Sequence, residues 1–204
     1  MYRTYIKRAF SISLSAILLI VLSWLLLVLA VLVKCTSKGP VFFKQKRVGM
    51  NKSHFMMYKF RTMRTDTPKD VPTHLLQNPE AYITPVGKFL RASSLDELPQ
   101  LINILKGDMA FVGPRPALYN QYDLIAERDK YGANDIRPGL TGLAQISGRD
   151  ELEIPIKAAF DGEYVKKISV CMDIQIFLKT IGKVVKHDGV VEGGTGTMER
   201  EKRK

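Results

Sequence analysis

Residues 12–33 read ISLSAILLIVLSWLLLVLAVLV, twenty-two positions without a charge, broken in their apolar character only by Ser13, Ser15 and Ser23. A helix needs about 20 such residues to cross about 30 Å of hydrocarbon, so this stretch belongs in a bilayer. A secretory signal fits less well. Its apolar core runs to about 7–15 residues and ends at a small-x-small cleavage site, which this chain lacks. Lys34, just before Cys35, likewise argues against lipoprotein-type processing.

Charges flank the segment on both sides. Arg3, Lys7 and Arg8 precede it, and Lys34, Lys38, Lys44, Lys46 and Arg47 follow. Positive residues prefer the cytoplasmic side, so both ends ask for the same compartment. Two geometries answer this: a spanning anchor in which the larger C-terminal cluster wins, or a helix that dips into the membrane and returns. The segment holds no proline or glycine, and Ser23 bends a helix only slightly through its i−4 carbonyl. The same-side flanks predict re-entry, with the bend near Ser23 and Trp24.

Beyond the segment about 170 residues remain, enough for one domain with a core. The 204-residue chain carries a net charge of +11 and a pI near 9.6. Anionic headgroups, which attract juxtamembrane Lys and Arg by about 1 kcal/mol each, account for this better than nucleic acid does. No stacking platform or recognition helix is visible, so no nucleic-acid partner is expected. Cys35 and Cys171 are too few for a disulfide framework and stand in no zinc-like cluster, so both read as reduced structural thiols. The chain divides into an apolar helix with basic flanks at 1–38, one folded domain at 39–186, and a Gly-rich, charged tail at 187–204 expected to be mobile.

Within the domain, residues 41–43 and 55–62 read as short strands joined by a turn at Gly49-Met50-Asn51. Residues 65–85 carry four prolines and read as a long surface loop, a candidate lid. Next comes Ser93-Ser94-Leu95-Asp96-Glu97-Leu98-Pro99-Gln100, followed by Leu101, Ile102 and Leu105 at helical spacing and Gly107 as terminator. Pro99 is tolerated only near a helix start, which puts Asp96 and Glu97 at its N-terminus. One reading is a capping box, Ser94-x-x-Glu97. The other is chemical, because a helix N-terminus keeps carboxylates ionised and two adjacent acids can share a hard cation. In Gly113-Pro114-Arg115-Pro116 each proline disfavours helix at the residue before it, so Arg115 is held on a stiff extended segment, suited to forked contact with phosphate. Arg137-Pro138-Gly139-Leu140-Thr141-Gly142 offers two glycines for close approach to a ligand, then a strand at 143–146 and a turn at Gly148-Arg149.

Taken with Lys7-Arg8, Gly39-Pro40-Val41-Phe42-Phe43-Lys44-Gln45-Lys46-Arg47-Val48-Gly49, Tyr58-Lys59-Phe60-Arg61-Thr62-Met63, Leu105-Lys106-Gly107-Asp108-Met109 and Asp173, these motifs resemble the small monotopic phosphoglycosyl transferases of the bacterial sugar transferase family. The likeness covers about Tyr5 to His187. It implies a family-specific α/β fold with a re-entrant helix, short strands, interfacial amphipathic helices and an active site facing the cytoplasm of the bacterial inner membrane. Two departures stand out: Ser23-Trp24 replaces the family's Ser-Pro break, and Ser11 stands where the Lys-Arg-x-x-Asp opening has its acid.

The resemblance also implies a reaction. A sugar-1-phosphate passes from a UDP-sugar to undecaprenyl phosphate: Asp96 attacks the β-phosphorus and releases UMP, and the lipid phosphate then takes the phosphosugar from the carboxylate. Asp96 and Glu97 would hold Mg²⁺, Arg115 with Pro114 would clamp phosphate, and Lys59, Arg149 and Asp173 would line the pocket. Ala117-Leu118-Tyr119-Asn120-Gln121-Tyr122 is similar to members using N-acetylated amino sugars for surface glycans. Anionic lipids, a second copy of the chain and downstream glycosyltransferases are the implied partners. The alternative is a membrane-anchored module that binds nucleotide or anionic lipid without turnover.

Overall fold

The computed structural model describes residues 2–68, 78–148 and 152–186. The chain enters through a wide helical turn at Tyr2–Ile6 that runs into α1, Lys7–Val21, and after a break at Leu22 continues as α2, Ser23–Thr36. Strands β1, Phe42–Val48, and β2, His54–Phe60, form an antiparallel hairpin. Then come α3, Pro85–Ala92, and α4, Gln100–Lys106. Strand β3, Ala110–Val112, is followed by α5, Tyr122–Asp129, and then β4, Gly139–Thr141, which pairs with β3 in parallel. Helices α6, Leu143–Ser147, α7, Ile154–Lys167, and α8, Val170–Lys186, complete the fold. The expected mixed helix and strand architecture holds, with the strands confined to two small two-stranded sheets.

The N-terminal apolar helix breaks without a proline. Leu22 has φ −91° and ψ 6°, although the bonds from Leu22 N–H to Leu18 O (2.9 Å) and from Leu26 N–H to Leu22 O (2.8 Å) survive around it. Packing supplies the reason. Leu14, Leu18 and Leu19 of α1 lie against a core built from Leu101, Ile104, Met109, Phe111 and Tyr164. Leu29 and Val33 of α2, with Leu25, Leu26 and Ala30, join a separate cluster with Phe60 and Leu90. The arms, about 22 and 21 Å long at 1.5 Å per residue, are thus held by different parts of the domain. By length and composition the 20-residue run Tyr2–Val21 is able to cross a membrane, while the second arm is shorter.

Both ends of this segment are bonded to the domain. At the first, Arg8 donates to Ile104 O at 2.9 Å, and Lys7 Nζ lies 2.7 Å from Asp173. At the second, Arg61 donates to the carbonyls of Ser37 and Lys38. The outward faces of both arms stay apolar and exposed, with Phe10, Ile17, Ile20, Trp24, Leu27 and Val31 among them. A further exposed stripe on α8, at Val170, Ile174, Phe177, Leu178 and Ile181, follows helical spacing.

Several local expectations are corrected. The first strand extends to Val48 instead of ending at Phe43, because its basic residues rest on aromatic faces: Lys44 Nζ is 5.5 Å from the Tyr58 ring centre and Lys46 Nζ 5.3 Å from that of Tyr119. The strand expected at 143–146 is helix α6, and the strand lies earlier, in the glycine-bearing Gly139–Thr141 that read as a turn. Pairing with β3 decides this, since a Cβ on Gly113 would come within 2.6 Å of Arg137 O. The glycines at 139 and 142 approach the Gly113 backbone. Residues 65–85 are not wholly loop. Ile83 bridges to Met63, and α3 begins at Pro85 behind Thr84, whose Oγ1 accepts from Gly87 N–H at 2.9 Å. Both cysteines are free thiols, as expected, and both are exposed. The remainder of the expected lid, Arg149 and the 187–204 tail lie outside the described residues.

Candidate active site

The acidic doublet occupies the reversal between α3 and α4. Ser94 adopts a left-handed conformation, φ 56°, and Leu95–Glu97 form one tight 3₁₀ turn before Pro99. The capping box is not formed: Ser94 makes no side-chain cap bond, and α4 itself starts only at Gln100. Three-residue periodicity explains how the turn works. Leu95 and Leu98 fall on one side and pack into the α2 cluster, while Asp96 and Glu97 line a cavity of about 820 Å³.

Two cations converge on Glu97. Lys59 Nζ, carried by β2, lies 2.7 Å from Oε1, and Arg115 NH2 lies 3.1 Å from the same oxygen. Burial alone would push this carboxyl up, but Lys59 and Arg115 more than offset it and hold Glu97 well below the usual carboxylate range. Asp96 goes the other way. Its residue is 7% exposed, and burial raises its carboxyl above the ordinary value against the pull of Lys59, 3.9 Å away, with Glu97 adding to the rise. Neighbouring carboxylates with opposed tendencies mark a division of labour: Glu97 is a fixed anion, and Asp96 is poorly solvated and less neutralised.

Among the described lining residues there are ten lysines and arginines against the two acids of the doublet. Such a wall suits a multiply charged phosphate ligand. Arg91, which sequence reading missed, also lines the cavity and opposes the rise at Asp96; its guanidinium lies 3.7 Å from the Met63 sulfur. Its position five residues before Asp96 at the end of α3 was a usable signal only once α3 was known. Leu18 and Leu22, at the membrane helix's break, line the cavity too, so it reaches from the charged doublet to the apolar arm.

The other expected site residues divide. Lys59 and Arg115 join the doublet. Pro114 is buried outside the lining of the large cavity and accepts a bond from Gly139 N–H at 2.9 Å, which fixes the segment bearing Arg115. Asp173 is also absent from that lining and serves as a hub, accepting from Tyr2 (2.6 Å), Lys7 (2.7 Å) and Tyr164 (2.7 Å). Lys7 thus finds its acid on α8, where Ser11 offers none. Among the described residues no group of three His, Cys, Asp or Glu side chains gathers as for a metal.

A buried acid beside paired cations in a basic cavity, next to an apolar helix pair, fits a protein that handles phosphate-bearing ligands with an apolar part. The model of the bacterial sugar transferase family matches residues 2–187. The chain is 37% identical over 195 residues to an uncharacterized sugar transferase of Bacillus subtilis, covering 96% of this chain and 95% of that one. It is 41% identical over 186 residues to the UDP-glucose:undecaprenyl-phosphate glucose-1-phosphate transferase of Escherichia coli, covering 87% of this chain and 40% of that protein. With the undecaprenyl-phosphate galactose phosphotransferase of Salmonella typhimurium it shares 37% over 199 residues, 91% of this chain and 41% of the relative. The chain belongs to the bacterial sugar transferase family and is a phosphoglycosyl transferase.

Proposed function

We propose that this protein transfers a sugar-1-phosphate from a UDP-sugar to undecaprenyl phosphate, in two steps through Asp96. A carboxylate oxygen of Asp96 attacks the β-phosphorus, the bond from that phosphorus to the bridging oxygen breaks, and UMP leaves with the electron pair. An oxygen of the lipid phosphate then attacks the same phosphorus, breaking its bond to Asp96 and restoring the carboxylate. The observation that carries this reading is Asp96 itself: buried, in a cavity of matching charge, beside a glutamate already committed to Lys59 and Arg115. Arg115 and Arg91 supply cations for the phosphates. Leu18 and Leu22 give the prenyl chain an apolar approach, and splitting the reaction means that soluble donor and lipid acceptor need not be bound together.

Magnesium suits this donor set, since two adjacent carboxylates plus substrate phosphates provide the hard oxygens it prefers. Lys59 and Arg115 both contact Oε1 of Glu97, so Asp96 and the second Glu97 oxygen would hold it, and it would neutralise charge on the phosphates. Two of the relatives are named for glucose or galactose, so those UDP-sugars begin the donor panel, with N-acetylated amino sugars as its second arm. The test is UMP release with and without undecaprenyl phosphate. A single equivalent of UMP without acceptor, and turnover with it, is expected. UMP forming only when acceptor is present would remove the covalent step, and no UMP from any donor would favour the binding module.

The membrane segment re-enters on this reading, because both of its ends are bonded to one catalytic domain, on the cytoplasmic face of the bacterial inner membrane. The exposed stripe of α8 lies at the interface beside it. Single cysteines at Thr4 and Ser37, with Cys35 and Cys171 replaced, are probed in intact cells by an impermeant thiol reagent restricted to the periplasm. Protection of both is expected, and labelling at position 4 alone would establish a spanning anchor.

A further inference from the structure

Among the described ion pairs Arg128–Asp161 is the most deeply buried, with side chains 4% and 1% exposed. It joins α5 to α7. Nε and NH2 of Arg128 lie 2.8 and 2.6 Å from Oδ2 of Asp161, and NH1 donates to the main-chain carbonyl of Arg115 at 2.9 Å. That carbonyl sits between two prolines whose rings already fix their own φ. Pro114 O is held by Gly139 N–H, so the Arg128 bond secures the other side of Arg115 and restrains its ψ. A buried charge pair adds little net stability over apolar side chains of similar size, so stability alone does not explain this one.

We propose that Arg128 and Asp161 are positioning residues: they fix the main chain of Arg115 so that its guanidinium meets the donor diphosphate at a set angle, and they act only through it. The inference rests on Arg115 being the phosphate clamp. Its rival is direct contact with substrate, because Arg128 also lines the large cavity.

A double-mutant cycle on the full chain in detergent separates the two. The variants are R128M/D161L, which removes both charges and leaves no lone buried ion, R115A, and the combination of all three. The readings are the Kd for UDP alone by calorimetry and the melting temperature. We expect R128M/D161L to weaken UDP binding about tenfold at a nearly unchanged melting temperature, because a displaced clamp loses its aim. R115A should lose about as much, and the triple variant should bind within about twofold of R115A. If the losses multiply, Arg128 touches the ligand itself and the inference falls. Wild-type UDP binding by R128M/D161L would make the pair purely structural. Unchanged binding by R115A would instead overturn the phosphate-clamp reading and the inference with it. Should R128M/D161L not fold, R128K takes its place with the same readings, since one ammonium beside Asp161 cannot also reproduce the fork.

Discussion

Asp96 and Asp173 are both largely buried aspartates beside a lysine, yet their surroundings are opposite. Asp173 is closed on all sides by Tyr2, Lys7 and Tyr164, and ties the start of the membrane helix to α7 and α8. Asp96 lines the open cavity, its nearest cation, Lys59, being closer to Glu97. The two carboxylates differ in which neighbour absorbs the positive charge. At Asp173 the partners spend their donors on the aspartate, whereas at the doublet they spend them on the residue next door.

The sharpest way to break this contrast is Asp96→Asn. If Asp96 is the nucleophile, UMP release falls about a thousandfold or more. Retention of over about a tenth of the wild-type rate, a change of only about 1.4 kcal/mol, would sink covalent catalysis at this position. Arg115→Lys comes next. It keeps the charge but loses the planar fork, and kcat/KM should drop about ten- to a hundredfold; near-normal kinetics would reduce Arg115 to a structural partner of Glu97.

Asp173→Asn should act on stability before chemistry. The substitution leaves Lys7, whose side chain is 14% exposed, without its anionic partner, so unfolding free energy should fall by about 2–4 kcal/mol. Rate per folded molecule should stay within about threefold, since the hub lies away from the cavity. A large kcat loss at unchanged melting temperature would move Asp173 back into the active site.

The smallest signal is a pH dependence, measured in metal-free buffer. The folded protein holds Glu97 below its ordinary value of 4.5, so its ion pairs stabilise fully above that pH and the contribution fades as pH falls toward the depressed value. The stability gap between wild type and Glu97→Gln should therefore be flat from neutral pH to about 5 and narrow below about 4.5. Asp96 has the reverse sign: its raised carboxyl favours the folded state when protonated and subtracts stability as pH rises past 3.8. A gap that widens on acidification would show that Lys59 and Arg115 do not hold Glu97 as an anion.

Much of the site was legible before the fold was known because its parts are local. Pro99 and Gly107 bracket α4, and the prolines around Arg115 stiffen the chain wherever it is placed. Their meeting was legible only through the family resemblance, which put Lys59 and Arg115 in one pocket with the doublet; no local signal does so, since Lys59 reaches Glu97 across 38 positions, and Arg128 reaches Arg115 from a helix the sequence reading did not mark. Asp173 shows the converse, since its matching motif said nothing about which side of the molecule the carboxylate would face.

By itself the sequence determined what is written in one stretch of chain: an apolar run too long for a soluble loop, a hairpin with a polar turn, an acidic doublet before a proline, and an excess of positive charge. The same-side charges pointed to a bend near Ser23 and Trp24, and the break falls next to them at Leu22; the tertiary structure supplied its cause, because no breaker stands there and two arms pack on different cores. It also decided that Gly139–Thr141 is a strand and 143–146 a helix, since a three-residue strand exists only through the partner that bonds it. Propensity and charge act between neighbours in sequence, whereas pairing, packing and the sharing of a cation among carboxylates act between neighbours in space.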